Sequence, residues 1–166
     1  GEGIFVGYRA HDRLDQRVSF PFGHGQSYTT FDLTDLEVVV SGAVNDEAGQ
    51  LSAAVSVTVT NTGSRRGAHV VQVYVGDDDV AVARPPRELK GFAKVHLDAG
   101  ASERVTIVLD QRAFSFWSTQ HDRWVVEAGS FTISVGSSSR NLPLSATLDV
   151  AALGRHGSPH AQIELS

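Results

Sequence analysis

The chain has 166 residues, 41% of them hydrophobic and 20% charged, with a formal net charge of −5. That length suffices for one domain with a real core plus flanking segments, and the acidic balance argues against the basic face that a nucleic-acid partner requires. No apolar run reaches the length of a membrane-spanning helix, no charged-then-apolar leader opens at Gly1, and the absence of cysteine excludes disulfide and thiolate chemistry. A soluble protein, cytoplasmic or secreted, without nucleic-acid or membrane partners is expected.

In chain order, residues 1–31 do not read as an independent unit. Gly1-Glu2-Gly3-Ile4-Phe5-Val6-Gly7-Tyr8-Arg9 is a short apolar stretch bracketed by glycines, and three glycines in seven residues make a poor helix. Its few apolar residues cannot bury themselves, so it is expected to lie across another domain. From Leu33 the pattern changes to short strands. Leu33 to Val40 is the first, and a turn-rich connection runs from Ser41 to Gly49. Leu51, Ala53, Val55, Val57 and Val59 then alternate with Ser52, Ser56, Thr58 and Thr60, the period of two that marks a half-buried strand. Asn61-Thr62-Gly63 signals a turn. Val71, Val73 and Val75 alternate with Gln72 and Tyr74.

Asp77 to Arg87 reads as a polar, proline-bearing loop, and Leu89 to Leu97 as a strand ended by Asp98-Ala99-Gly100. Val105, Ile107 and Leu109 alternate with Arg104, Thr106 and Val108 in the next. Further strands are expected at Trp124–Val126, Phe131–Val135 and Leu144–Val150, and residues 151–166 read as a loosely held tail. No segment of helical period and length stands out. About seven strands at regular spacing, each with one apolar face, predict an all-β fold: an antiparallel, seven-stranded immunoglobulin-like or fibronectin type III-like sandwich with an extended N-terminal segment.

Several phrases resemble family 3 glycoside hydrolases, the β-glucosidases and their relatives. Phe20-Pro21-Phe22-Gly23-His24-Gly25-Gln26-Ser27-Tyr28-Thr29 is similar to the junction that joins the second catalytic domain of that family to a C-terminal fibronectin type III-like domain. Glu2 to Arg9 resembles the end of the preceding α/β domain. Then, in family order, come Val57-Thr58-Val59-Thr60-Asn61-Thr62-Gly63, Gly67 to Val75, Arg84-Pro85-Pro86-Arg87-Glu88-Leu89-Lys90-Gly91-Phe92, Arg112 to Trp117, Trp124 to Gly129 and Val135 to Ser139. The likeness covers roughly residues 2–150. Gln26 stands where the family usually has Leu, His69 where Glu is common, Ala99 for a frequent Pro and Ser118 for a frequent Asp.

The resemblance implies a division into residues 1–31, the tail of a catalytic domain and its linker, residues 32–150, the sandwich, and residues 151–166, a C-terminal tail. The lack of methionine agrees with a piece of a longer chain. Retaining glycoside hydrolysis needs two carboxyl groups across the scissile bond. In the family these are an Asp in an N-terminal barrel and a Glu in the α/β domain, both upstream of the junction, so no catalytic residue is expected here. The expected partner is the set of upstream catalytic domains, and a glycoside substrate would be met only in the intact enzyme. Phe5, Tyr8, Arg9, Phe20, Phe22, His24, Tyr28, Arg84 and Glu88 are the candidate residues of the interdomain interface.

No cofactor or metal is expected. Asp77-Asp78-Asp79 could suggest calcium but lacks the spaced acidic pattern and distal Glu of a calcium loop, so a solvated loop is the expectation. Asp12, Asp15, Asp98 and Asp122 sit in turn-like contexts. His156 and His160 are four apart, but Gly157 and Pro159 separate them and disfavour a metal-binding helix. His24 sits between two glycines, as in a tight turn. Phe114, Phe116, Trp117 and Trp124 could stack on sugar, but filling the core or a seam is the expectation. Two functions remain: an accessory domain that braces catalytic domains, with an exposed apolar patch around residues 1–31, or an independent carbohydrate-binding sandwich with a surface row of aromatics.

Overall fold

The structure, a computed structural model, describes residues 3–42, 51–78 and 84–150 and the backbone of residues 163–165. In chain order the elements are α1 (Tyr8–Arg13), β1 (Phe31–Ser41), β2 (Ser52–Asn61), β3 (Gly67–Asp77), β4 (Glu88–Leu97), β5 (Ser102–Asp110), α2 (Gln111–Phe114), β6 (Phe116–Ser118), β7 (Arg123–Val125), β8 (Gly129–Gly136), β9 (Leu144–Val150) and β10 (Ile163–Leu165). Seven strands form two antiparallel sheets, β1-β2-β5 and β9-β8-β3-β4, with the short β10 added beside β9. This is the expected all-β sandwich.

The alternation seen in the sequence positions the core. Ala53, Val55, Val57 and Val59 of β2 and Val105, Ile107 and Leu109 of β5 point inward from one sheet. Val71, Val73 and Val75 of β3, Phe131, Ile133 and Val135 of β8, and Ala146 and Leu148 of β9 meet them from the other. β-branched side chains suit this role because their restricted rotamers cost little on a pleated surface. Phe114, carried inward by α2, packs edge-on against Phe131 with ring centroids 5.4 Å apart. Asp110 starts that helical turn by accepting the Ala113 N–H at 3.3 Å.

Four expectations need correction. Residues Tyr8–Arg13 form a short helix, since the glycines lie before it rather than within it. Trp124 belongs to neither sheet. It pairs in a separate hairpin, β6 with β7, because Trp117 and Trp124 face each other across a four-residue link. β3 extends to Asp77, beyond the expected loop boundary. Ile163–Leu165 pair with β9, so that part of the tail is strand. The expected connection of residues 43–49, the loop residues 79–83 and the remainder of the tail, including His156 and His160, lie outside the described residues.

Asn61 closes the end of β2. Its side chain is fully buried, and its Nδ2 donates to the carbonyls of Arg65 (2.7 Å) and Leu97 (3.0 Å). Its Oδ1 accepts from Thr29 Oγ1 (2.7 Å) and the Gly63 N–H (3.1 Å). One amide therefore joins both sheets, the turn after β2 and the end of the junction phrase. Asn61→Ala strands several buried groups and should destabilise the fold by roughly 2–3 kcal/mol, read from chemical denaturation.

His69 stands where a Glu is common in the resembling family. It packs on Phe31 at 4.9 Å between centroids, and its Nε2 is buried without a hydrogen-bond partner. Burial holds its pKa below the usual 6.5. The unfolded chain thus binds the proton more readily than the folded one below pH 6.5, and stability falls there as pH drops. His69→Phe should lose less stability than the parent between pH 7 and pH 5 in urea melts. Equal losses would refute this role.

Candidate interdomain seam

The outward face of β3 is the first sign of a site. A strand with one solvated face carries polar residues there, and Gln72 and Tyr74 occupy those positions, yet they are only 5% and 0% exposed. The expected one-sided alternation of β3 is therefore a strand buried on both faces. The N-terminal segment lies across it. Tyr8, the first residue of α1, stacks on Phe22 (4.5 Å) and meets Tyr74 edge-on (6.2 Å), while its hydroxyl accepts the Leu89 N–H at 2.9 Å.

Polar groups fix the register of this contact. Gln72 Nε2 donates to the carbonyls of Gly23 (3.1 Å) and Ser137 (2.8 Å), and its Oε1 accepts from the Tyr74 hydroxyl at 2.7 Å. Burial, with Tyr8 and Asp12 nearby, raises the pKa of the Tyr74 phenol above its usual 10, so it stays protonated and remains the donor. Gly23 has φ of 79°, and a Cβ there would collide with the Gln72 amide, so both the turn and the close approach require glycine. The Ser139 N–H donates to the Phe22 carbonyl at 2.9 Å.

Charge locks the helix to the loops. The Asp12 side chain, 2% exposed, lies between Arg140 Nε (3.1 Å) and Arg87 Nε (3.6 Å). Arg140 also donates to the His11 carbonyl at 3.0 Å. Arg9 meets Glu88 at 2.6 Å, and Lys90 approaches the other oxygen of Glu88 at 3.0 Å.

The nine candidate residues divide accordingly. Tyr8, Arg9, Phe22 and Glu88 come together in this seam. Phe5 lies under the Arg13 guanidinium at 3.9 Å. Phe20, 71% exposed, stacks on His24 at 5.3 Å, and the His24 N–H closes a turn onto the Pro21 carbonyl. Tyr28 is 96% exposed. Arg84 points elsewhere: it is buried against Asp77 and Glu127, with its guanidinium 4.1 Å over the Phe116 ring. Sequence reasoning passed over Gln72, Tyr74, Asp12, Arg87 and Arg140. The available signal was that the outward positions of β3 carry amide and phenol but no charge.

The expectation that residues 1–31 lie across another domain is corrected for one face of the segment, which binds its own sandwich. Along the same segment the side chains of Ile4, Val6, Leu14, Phe20 and Tyr28 are exposed.

A second surface lies beside the seam. Trp117 and Trp124 are 46% and 45% exposed and meet edge-to-face at 5.6 Å, with the Arg112 guanidinium 3.3 Å over the Trp124 ring. They line an open cleft of about 950 Å³ whose wall includes Ile4, Arg9 and Glu88. Of the two places expected for these aromatics, core or seam, Phe114 takes the core, while both tryptophans lie at the surface. Ser118, where Asp is frequent in the resembling family, accepts the His121 N–H at 3.3 Å and so still caps the hairpin turn. Asp77 pairs with Arg84, and Asp78 accepts from Thr132 Oγ1 at 2.7 Å, so both are engaged by protein. Asp79 lies outside the described residues.

The sandwich and its polar seam define a class, and comparison with known proteins places it. Residues 69–139 match the family model of the fibronectin type III-like domain. The chain is 46% identical over 155 residues to the exo-α-(1→6)-L-arabinopyranosidase of Bifidobacterium breve, covering 93% of this chain and 20% of that protein. It is 44% identical over 149 residues to the thermostable β-glucosidase B of Acetivibrio thermocellus, covering 90% and 19%. The crystal structure of a family 3 β-glucosidase from Bifidobacterium adolescentis superposes with a TM-score of 0.84 at 44% identity, over 95% of this chain and 23% of that one. This chain belongs to the fibronectin type III-like domains of family 3 glycoside hydrolases. It spans about a fifth of the length of the curated relatives it matches.

Asp12→Ala leaves two arginines facing a buried gap, and loss of one partner from a buried ionic cluster is costly. The α1 amides should then exchange at least about tenfold faster with deuterated solvent while β2 keeps its protection. Unchanged exchange in α1 would show that Asp12 does not hold the segment.

Proposed function

We propose that the chain is the accessory domain of a family 3 glycoside hydrolase and braces the catalytic part of that enzyme. The observation that carries this reading is the fastening of residues 3–31 to the outer face of β3. The segment resembles the end of a catalytic α/β domain, and it is held to the sandwich by hydrogen bonds, ion pairs and an aromatic stack rather than by one flexible joint. A domain so joined transmits its orientation to whatever precedes it. Phe5, Phe20, His24 and Tyr28 serve the outer side of the same junction, toward the upstream domains, while Tyr8, Arg9, Phe22 and Glu88 serve the inner side.

The parent is proposed as a retaining β-glucosidase acting on terminal β-D-glucosyl residues, with its carboxylate pair upstream. One of the similar proteins carries the name of an arabinopyranosidase, so the sugar is set by residues outside this chain. The sandwich supplies stability and geometry. Fold and chemistry are separate matters, and the chemistry belongs to the longer polypeptide.

The test compares the isolated chain with the longer polypeptide on p-nitrophenyl β-D-glucopyranoside and the corresponding α-L-arabinopyranoside. The isolated chain should release no nitrophenol, and deletion of residues 32–150 from the longer polypeptide should lower both its activity and its melting temperature. Turnover by the isolated chain, or a deletion that changes neither property, would overturn the reading.

A further inference from the structure

We propose that the cleft lined by Trp117, Trp124 and Ile4 is the surface on which the upstream catalytic part of the same polypeptide docks. This rests on the reading of the chain as an accessory domain and says which face makes the contact. Among the described residues the hairpin β6–β7 pairs only with itself and joins neither sheet. A lone two-stranded hairpin is marginally stable in water, and here it carries two half-exposed tryptophans. Large aromatics in that state are what interface centres are made of.

The geometry also says what covers the hairpin. Ile4, at the start of the described chain, forms part of the cleft wall, and Val6 beside it is exposed. The N-terminal segment therefore reaches the rim of the cleft at Ile4, and the chain spans about a fifth of the length of the similar proteins. The nearest body able to fill the cleft is the one tethered to its rim, which gains from a high effective concentration.

Charge adds a requirement. Glu88 is met by Arg9 and Lys90, and Glu127 by Arg84, whereas Arg112 is exposed and makes no ion pair among the described residues. An occupant with an apolar group against Trp117 and a carboxylate near Arg112 would complete the surface. A sugar fits less well. The tryptophan planes are inclined at 70°, so they form no shared flat platform, and Arg112 takes one face of Trp124.

The photoreactive residue p-benzoylphenylalanine, placed at Trp117 or separately at Phe20 in the longer polypeptide, tests this after irradiation, digestion and mass spectrometry. Crosslinks from position 117 to peptides upstream of residue 1 are expected. If position 20 crosslinks upstream and position 117 does not, the sandwich docks through another face: this inference fails and the accessory-domain reading stands. If neither does, both fail. As a second measurement, Trp117→Ala should lower the melting midpoint of the longer polypeptide and leave that of the isolated chain unchanged. Equal drops in both would overturn the docking role. So would a saturable change in the tryptophan fluorescence of the isolated chain with cellobiose that is lost in Trp117→Ala, which would make the cleft a sugar subsite.

Discussion

The side-chain amide of Gln72 is the constraint on which the rest of the seam depends. Its Nε2 donates to two backbone carbonyls, one in the junction turn and one after β8, and its oxygen accepts from a phenol that burial keeps protonated. A buried amide that lost these partners would bear a desolvation penalty of about 1–3 kcal/mol, so the network admits one arrangement. It requires glycine at position 23, because any Cβ would occupy the space of the amide. It also sets where Phe22 and Tyr8 fall, and through them where α1 lies.

The ionic contacts act differently from the core. The valine-rich interior stabilises the sandwich through burial of apolar area but is indifferent to what lies outside the sheet. Asp12 between Arg87 and Arg140, and Glu88 between Arg9 and Lys90, add modest net stability, since taking charges out of water offsets much of their attraction. Their effect is directional: a shift of the helix along β3 would strand a buried carboxylate. Apolar packing makes the domain, and polar pairing gives its junction one orientation, which is the property a bracing element needs.

How much of this the sequence discloses depends on which face of a strand is considered. β2 and β5 announce themselves because one face is core and the other solvent, so the inward residues from Ala53 to Val59 and from Val105 to Leu109 alternate with mostly polar ones, Ala54 and Val108 being the apolar exceptions. β3 alternates as cleanly in its letters, but Gln72 and Tyr74 face a covering segment rather than water. Periodicity reports the polarity of a face and not its neighbour. The pairing of Asp12 with Arg87 and Arg140 joins residues more than seventy positions apart, beyond any local pattern. The sequence leaves Trp117 and Trp124 to the core or to a seam, because buried tryptophan is common in sandwiches. The hairpin that lifts them out follows from α2, where Phe114 takes the core position instead.

The cleft beside the hairpin shows why its size does not make it a reaction centre. Glycoside hydrolysis needs one carboxyl group able to give a proton and another able to attack or to activate water. Among the described residues, the three acidic side chains lining the cleft already have partners: Glu88 is held by two cations, Asp110 accepts the Ala113 N–H that starts α2, and Glu127 faces Arg84. Each would have to give up a structural contact before it could act as acid or nucleophile. Aromatic surface and the Arg112 guanidinium are among the groups the cleft leaves exposed, and both are suited to holding a neighbour in place.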